Sequence, residues 1–125
     1  MSKNILIVDD DPDIVELLET ILRNAGYETD SAQNGMECLQ MVKKNPPDLI
    51  LMDIMMPILD GVKTLESLYK DNVSHRNIPV IMVSGYLDDE NAQIAKDLGA
   101  RDAVSKPFKQ DELLEVIAKH ANPEK

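Results

Sequence analysis

Three short runs of the chain are apolar at every position, and they divide it into repeating units. These runs are residues 5–8, 49–52 and 80–83. Uniformly apolar runs of this length are typical of β-strands that are covered on both faces. Residues 27–32 are far more polar, which favours a strand at the edge of a sheet, where one side meets water. A short last strand is predicted at residues 103–105.

Apolar residues between these runs recur at the spacing of an amphipathic helix. The pattern predicts five helices, the fourth of them near residues 88–98. The apolar stripe of this fourth helix is thin, since it consists of Ala92, Ala95 and Leu98. A weakly packed helix of this kind can move at low cost in free energy.

The boundaries of the helices are marked by residues that cap or end them. Asp11 and Asn34 are predicted N-caps, and Pro12 suits the first position of the first helix. Gly26 and Gly99 follow the first and fourth helices, because glycine accepts the left-handed backbone of a helix end. The second helix is expected to end before the two prolines at residues 46–47.

Strict alternation of five strands with five helices predicts an α/β fold. Right-handed crossovers leave few topologies open, and the polar second strand belongs at an edge. We therefore predict a single three-layer (βα)5 domain with a parallel five-stranded sheet in the order 2-1-3-4-5, which is the flavodoxin-like arrangement. We expect the domain to cover residues 1–125, with its core at about 3–121 and a tail or the start of a linker at 122–125.

The chain is strongly acidic, with a net charge of −10 over 125 residues. This charge argues against binding of nucleic acid or of an anionic membrane, and it favours a cationic partner or a metal ion. The alternative is that the charge only keeps the protein soluble. The single cysteine, Cys38, excludes an internal disulfide, and no signal-peptide pattern or membrane-spanning apolar run is present in the sequence. We expect a cytoplasmic protein.

Polar residues follow the apolar strands, and the topology brings them to one edge of the sheet. Asp9 and Asp10 follow the first strand, Asp53 the third, Ser84 the fourth and Lys106 the last. Ligands of open α/β sheets bind beyond the carboxyl ends of the strands. The first and third strands are neighbours in the predicted order, so the three carboxylates should cluster there.

A cluster of three carboxylates needs a compensating positive charge. At about 5 Å and an effective dielectric constant near 20, each pair repels by roughly 3 kcal/mol. A hard divalent cation, Mg²⁺ with Mn²⁺ as an alternative, suits the oxygen ligands, and Lys106 adds a fixed positive charge. Asp53 stands alone after its strand and is the candidate nucleophile toward phosphorus, while the paired Asp9 and Asp10 suit the metal. Ser84 has a hydroxyl that can donate to a phosphoryl oxygen.

Each of these residues also has an ordinary structural explanation. Aspartates after strands often form turns or cap helices, and a lysine before proline is usually exposed. The functional interpretation depends on the coincidence that all of them fall at the same end of one sheet. His75 and His120 are interpreted as surface residues, the latter favoured by the dipole at a helix C-terminus.

The chain resembles the receiver (CheY-like) domain of two-component response regulators from about residue 3 to residue 121. The sequence I-L-I-V-D-D-D at residues 5–11 is similar to the family's first strand and acidic pair. The sequence D-I-M-M-P-I-L-D-G at residues 53–61 is similar to its phosphorylation loop, D-x-x-M-P-x-x-(D/N)-G. Ser84 with Gly85, and K-P-F at residues 106–108, resemble two further motifs in the expected order.

This resemblance implies a phosphoacceptor signalling domain in which Asp53 receives the phosphoryl group. It implies that Mg²⁺ is held by Asp9, Asp10, Asp53 and the backbone carbonyl of Met55, with Asp10 the more direct ligand of the acidic pair. Lys106 would pair with the phosphoryl group. The family's activity would be limited to its own phosphorylation and dephosphorylation, so we do not expect an enzyme acting on other molecules.

The resemblance also implies partners and a switch. The donor would be a phosphohistidine on a sensor histidine kinase or a histidine phosphotransfer protein, and the output would lie in a downstream protein or a missing output domain. Phosphorylation would draw Ser84 toward the phosphate and shift the face formed by the fourth helix, fifth strand and fifth helix. The bond between Lys106 and Pro107 would be cis. Many receivers have an aromatic switch residue where this chain has Ala103, and Tyr86 is a candidate to replace it or to shield the phosphoryl group.

Three alternatives are less well matched by the residues. A non-phosphorylated interaction module of the same fold usually lacks an acidic residue or the lysine, and none is missing here. A phosphohydrolase with an Asp nucleophile favours a second acid two residues later, where this chain has Met55. A flavin-binding relative needs a phosphate-binding loop after the first strand, where residues 9–11 would repel a phosphate.

Overall fold

The computed structural model describes residues 3–54, 61–71, 77–85 and 89–121, with the side chains of Asp71 and Asn91 excepted. These residues form five strands and five helices in strict alternation. The strands are β1 (Asn4–Val8), β2 (Glu28–Ala32), β3 (Leu49–Met52), β4 (Val80–Ser84) and β5 (Asp102–Ser105). The helices are α1 (Pro12–Asn24), α2 (Gly35–Lys44), α3 (Gly61–Asp71), α4 (Asp89–Asp97) and α5 (Gln110–Ala121).

All strand pairs are parallel, and the sheet has the order β2-β1-β3-β4-β5. The predicted topology is therefore confirmed, including the position of the polar β2 at an edge. Tyr27 lies outside β2, because its N–H donates to the carbonyl of Leu22 in the turn that ends α1. Asp88 and the tail at residues 122–125, which the sequence predictions include, lie outside the described residues.

The uniformly apolar strands supply two separate cores, one on each face of the sheet. On β1, Ile5 and Ile7 pack with α1 and α5, whereas Leu6 and Val8 pack on the side of α2, α3 and α4. Because successive side chains of a strand point to opposite faces, a strand between two helical layers must be apolar at every position. Cys38 is fully buried on α2, which confirms its predicted place in the core.

Both predicted N-caps are present. The Asp11 carboxylate accepts a hydrogen bond from the N–H of Asp13 at 3.0 Å, and the Asn34 side chain accepts from Glu37 at 2.9 Å. These contacts satisfy backbone donors that a helix leaves unpaired in its first turn. They also fix the points at which α1 and α2 leave the carboxyl edge of the sheet.

At the opposite end of the strands, Tyr69 of α3 contacts the segments that precede β4 and β5. Its hydroxyl donates to the carbonyl of Ile78 at 2.6 Å, and its ring lies against Gly99, which has a φ of +114° at the end of α4. A Cβ at Gly99 would lie 2.7 Å from the Tyr69 ring. Burial raises the pKa of Tyr69, partly opposed by Arg101, so the hydroxyl keeps its proton and remains a donor.

Candidate functional site

The register of β1 against β3 places two aspartates side by side. Val8 pairs with Met52, so the next residues, Asp9 and Asp53, leave the sheet at the same level. The N–H of Asp53 donates to the carbonyl of Val8 at 2.9 Å, which continues the strand pairing by one residue. Both aspartates are buried, with 3% and 8% of their surfaces exposed.

Asp10 completes a cluster of three carboxylates at this edge. One oxygen each of Asp9, Asp10 and Asp53 lies within 4.8 Å of the others, a spacing that a single metal ion can bridge. Asp10 is exposed, whereas its two neighbours are buried. The cluster is thus open to solvent on one side, and the predicted convergence of the three residues is present in the structure.

Lys106 follows β5, which lies two strands away from β3 in the sheet, and its side chain extends to this cluster. Its Nζ lies 2.7 Å from Oδ2 of Asp9 and 3.7 Å from Oδ2 of Asp53. The other oxygen of Asp9, Oδ1, accepts a hydrogen bond from the N–H of Asp11 at 3.0 Å. Both Asp9 oxygens therefore accept hydrogen bonds from within the protein, whereas Asp10 has an exposed carboxylate that a metal ion could reach.

The charges of the site fit a divalent cation. Three carboxylates and one ammonium group leave a formal charge of −2, most of it on buried side chains. Desolvated charge of one sign is unfavourable unless it is paired. Carboxylate oxygens at an open, partly hydrated edge are the ligands that Mg²⁺ prefers, and Mn²⁺ accepts the same set.

Ser84 ends β4 and lies at the same edge as the acidic cluster. It is fully buried, and its carbonyl accepts a hydrogen bond from the N–H of Lys106 at 3.0 Å. This contact joins the ends of β4 and β5, so the serine and the lysine are held by the same strand pair.

The remaining predicted residues differ in what the structure says of them. The peptide bond between Lys106 and Pro107 is cis, as the resemblance implied. Ala103 pairs with Met82 and lines an open groove between β5 and α5. Met55, His75 and Tyr86 lie outside the described residues, so their predicted roles stay predictions.

Two features of the molecule are not apparent from the sequence pattern. His120 is not a simple surface residue: 16% of its side chain is exposed, and its Nε2 lies 3.2 Å from Oδ2 of Asp102 at the start of β5. The surface prediction for His120 is wrong because the pairing depends on how α5 packs across β5. The second feature is Gly61, whose N–H donates to the carbonyl of Ile54 at 2.8 Å, directly after Asp53. The only sequence signal for Gly61 is its place at the end of the 53–61 motif.

Comparison with known proteins identifies the family. A family model described as the response regulator receiver domain matches residues 5–118. Sporulation initiation phosphotransferase F of Bacillus subtilis is 38% identical over 120 residues, which are 96% of this chain and 94% of that protein. The transcriptional regulatory protein CpxR homolog of Haemophilus influenzae is 40% identical over 114 residues, but this chain spans only 48% of its length.

Solved structures agree with the sequence comparison. The receiver domain of the Francisella response regulator 1452 has a TM-score of 0.90 at 34% identity, with 99% of this chain and 100% of that chain covered. A CheY-like receiver domain protein from Methanospirillum hungatei has the same TM-score at 33% identity, covering 99% and 97%. None of the helices in the described residues is long and apolar enough to span a membrane. With its order of strands, its acidic cluster and these relatives, the chain belongs to the response regulator receiver domains of two-component signalling.

Proposed function

We propose that this domain accepts a phosphoryl group on Asp53 in a reaction that requires Mg²⁺. The proposal depends on one observation, the cluster formed by Asp9, Asp10 and Asp53. One carboxylate oxygen of each lies within 4.8 Å of the others, and Nζ of Lys106 lies 3.7 Å from Oδ2 of Asp53. Phosphoryl transfer depends mainly on positioning and on neutralising the charge of the transferred group. A carboxylate beside a fixed ammonium and a divalent-ion site provides both.

The chemistry is a displacement at phosphorus. An oxygen of the Asp53 carboxylate forms the new O–P bond, and the P–N bond to the donor's histidine ring breaks. The imidazole leaves with the electron pair and takes up a proton. Bound Mg²⁺ would supply positive charge to the phosphoryl oxygens. Asp9, Asp10 and Asp53 would hold it, with the Met55 carbonyl as a further ligand by analogy with the family.

Lys106 and Ser84 are proposed to recognise the product. The lysine would exchange part of its contact with Asp9 for a phosphoryl oxygen, and the serine hydroxyl would donate to another oxygen. Because Ser84 ends β4 and Lys106 directly follows β5, their movement would be passed to α4, β5 and α5. Tyr86 would shield the phosphoryl group or replace the aromatic switch that Ala103 lacks.

We propose a phosphohistidine donor on a sensor histidine kinase or a histidine phosphotransfer protein. The output would be a separate downstream protein or a further domain, because the CpxR homologue is about twice as long as the matched region. The domain would catalyse only its own phosphorylation and dephosphorylation, within residues 1–125. We also propose a cytoplasmic location, in which the buried thiol of Cys38 would stay reduced.

The proposal is tested by incubating the protein with acetyl phosphate and Mg²⁺ and locating the phosphoryl group by mass spectrometry. We expect incorporation on Asp53, none with EDTA present, and none in Asp53→Asn. Asp11→Asn is the matched control, since Asn caps a helix as well as Asp and should leave incorporation intact. A folded wild-type protein that never incorporates phosphate would identify a non-phosphorylated interaction module. Incorporation that survives Asp53→Asn would move the acceptor elsewhere.

A further inference from the structure

The backbone around Asp53 is fixed from two sides. On one side its N–H donates to the carbonyl of Val8 at 2.9 Å, which ties it to β1. On the other side the carbonyl of Ile54 accepts a hydrogen bond from the N–H of Gly61 at 2.8 Å. The loop that leaves β3 therefore returns, at the first residue of α3, to the peptide that follows Asp53.

Only glycine fits at position 61 in this arrangement. A Cβ at Gly61 would overlap the backbone carbonyl oxygen of Asp53 and would lie 2.9 Å from Cα of Ile54. Both groups are backbone, so they cannot move aside by a change of rotamer as the end of a long side chain can. Any larger residue must push the start of α3 away from Asp53, or push Asp53 away from its neighbours.

We infer that Gly61 is a positioning residue that sets the distance between Asp53 and the carboxylates of Asp9 and Asp10. Asp9 directly follows Val8, whose carbonyl accepts the hydrogen bond from the Asp53 N–H. This hydrogen bond and the one from the Gly61 N–H to the Ile54 carbonyl together determine the position of Asp53 relative to β1. Gly61 would act through Asp53, because its close neighbours are the backbone atoms of Asp53 and Ile54. This inference rests on the proposed function, because the cluster matters only as a site for Mg²⁺.

The size of the effect follows from how metal sites respond to displaced ligands. Groups that orient metal ligands typically change metal affinity by about 10- to 100-fold when they are altered. A misplacement of about 1 Å can cost a similar factor in the rate of a reaction. We therefore expect Gly61→Ala to bind Mg²⁺ at least about 10-fold more weakly than wild type.

The test measures Mg²⁺ affinity by isothermal titration calorimetry for wild type, Gly61→Ala and Gly99→Ala. Gly99→Ala is the matched control, because its Cβ would meet the Tyr69 ring at 2.7 Å and its φ of +114° disfavours alanine. It should lower stability at the edge of the sheet away from the carboxylates and leave Mg²⁺ affinity within about twofold of wild type. Equal affinity in wild type and Gly61→Ala, or an equal loss in both glycine variants, would overturn the inference.

A measurement on the wild-type protein covers the case in which Gly61→Ala does not fold. The first N–H groups of a helix have no partner within the helix, so they normally exchange quickly with solvent. We expect the Gly61 amide to exchange at least about 100-fold more slowly than in an unfolded peptide, because it is bonded to Ile54. Exchange at the unfolded rate would overturn the inference.

The outcome separates this inference from the proposed function. Wild-type protein that binds no Mg²⁺ would overturn both. Normal Mg²⁺ binding without phosphoryl incorporation would overturn the proposed function alone. The Mg²⁺ affinities of wild type and the two glycine variants would still test whether Gly61 positions Asp53.

Discussion

Lys106 acts as a counter-ion in the site, because its ammonium group lies close to the buried carboxylates of Asp9 and Asp53. At 2.7 Å from Asp9 it offsets negative charge that the fold has withdrawn from water. A buried charge that loses its partner is far more costly than the pair was stabilising. The lysine is therefore a structural counter-ion of the folded domain, independently of its proposed part in recognising a phosphoryl group.

Lys106→Met should lower the free energy of unfolding by about 1–3 kcal/mol in EDTA, because Asp9 and Asp53 lose their counter-ion. Adding Mg²⁺ should recover part of this loss, since the ion replaces the missing positive charge. Urea unfolding with and without Mg²⁺ measures both effects. Lys109→Met, on the exposed segment that precedes α5, is the control and should change little. A variant as stable as wild type in EDTA would contradict this account.

Asp102 and His120 form a second pair of titratable residues, at the junction of β5 and α5. Burial alone would raise the pKa of Asp102, but hydrogen bonds from the Ala103 amide and the His120 ring, together with the charges of His120 and Lys119, outweigh it and lower the pKa. A carboxylate with a lowered folded-state pKa stabilises the fold above its unfolded pKa of about 3.9. That contribution is lost as the pH falls through the folded-state pKa.

Asp102→Asn should therefore be less stable than wild type at neutral pH, by less than about 1 kcal/mol for a pair that solvent still partly screens. The difference should shrink as the pH falls below about 4, because the wild-type carboxylate is then protonated as well. Denaturant titrations between neutral and acidic pH provide the measurement, with Glu115→Gln as an exposed control. A difference that is independent of pH would show that the ionised carboxylate is not responsible.

At the level of elements, sequence periodicity predicts strands and helices well but does not predict their contacts. β1, β3 and β4 are recognisable because every position is apolar, and α1 and α2 because Asp11 and Asn34 cap them. The convergence of the three aspartates also follows from the sequence, since strand order alone brings the ends of β1 and β3 together. The close approach of Gly61 to Asp53 cannot be inferred in this way, because it depends on the path by which the chain returns from β3 to α3.

The same limit applies at the other edge of the sheet, where α3, the entry to β4 and the end of α4 meet at Tyr69. Helical spacing places Tyr69 near the buried side of α3, but it gives no partner for the hydroxyl. In the structure the hydroxyl donates to Ile78, and the ring requires glycine at position 99. One side chain thereby anchors the C-terminal end of α4, whose Ile94 is 38% exposed.

Tyr69→Phe should cost about 1 kcal/mol of stability, because the buried carbonyl of Ile78 loses its donor while the ring and its packing remain. Mg²⁺ affinity should not change, as the carboxylates lie at the opposite edge. Tyr27→Phe deletes the same atom from a tyrosine whose hydroxyl forms no hydrogen bond with the described part of the chain. Equal stabilities of the two variants would count against the anchoring contact.

For the molecule as a whole, the net charge of −10 and the acidic cluster predict that metal binding is coupled to folding. An ion that binds only the folded chain stabilises it by an amount that grows with the logarithm of its affinity, about 2.7 kcal/mol at a concentration 100 times the dissociation constant. Screening of the overall negative charge by salt is a separate and weaker effect that any cation supplies.

Mg²⁺ should therefore raise the melting temperature more than NaCl of equal ionic strength. Asp10→Asn should remove this extra stabilisation, because it deletes the exposed carboxylate of the cluster. Asp11→Asn removes the same charge from the next residue and keeps the helix cap, so its response to Mg²⁺ should match wild type. Calorimetry measures the melting temperature of each variant with Mg²⁺ and with NaCl. Equal shifts in Asp10→Asn and Asp11→Asn would show that Mg²⁺ acts only by screening the negative charge.

Because Cys38 is buried between α2 and the sheet, its chemical reactivity can report how often α2 separates from the sheet. Burial raises the pKa of this thiol to about 12, and only the thiolate is an effective nucleophile. An alkylating reagent at neutral pH should consequently react through molecules whose α2 has come away from the sheet. The rate of labelling then depends on how often α2 opens. A ligand that makes this opening rarer would slow the reaction without contacting the cysteine.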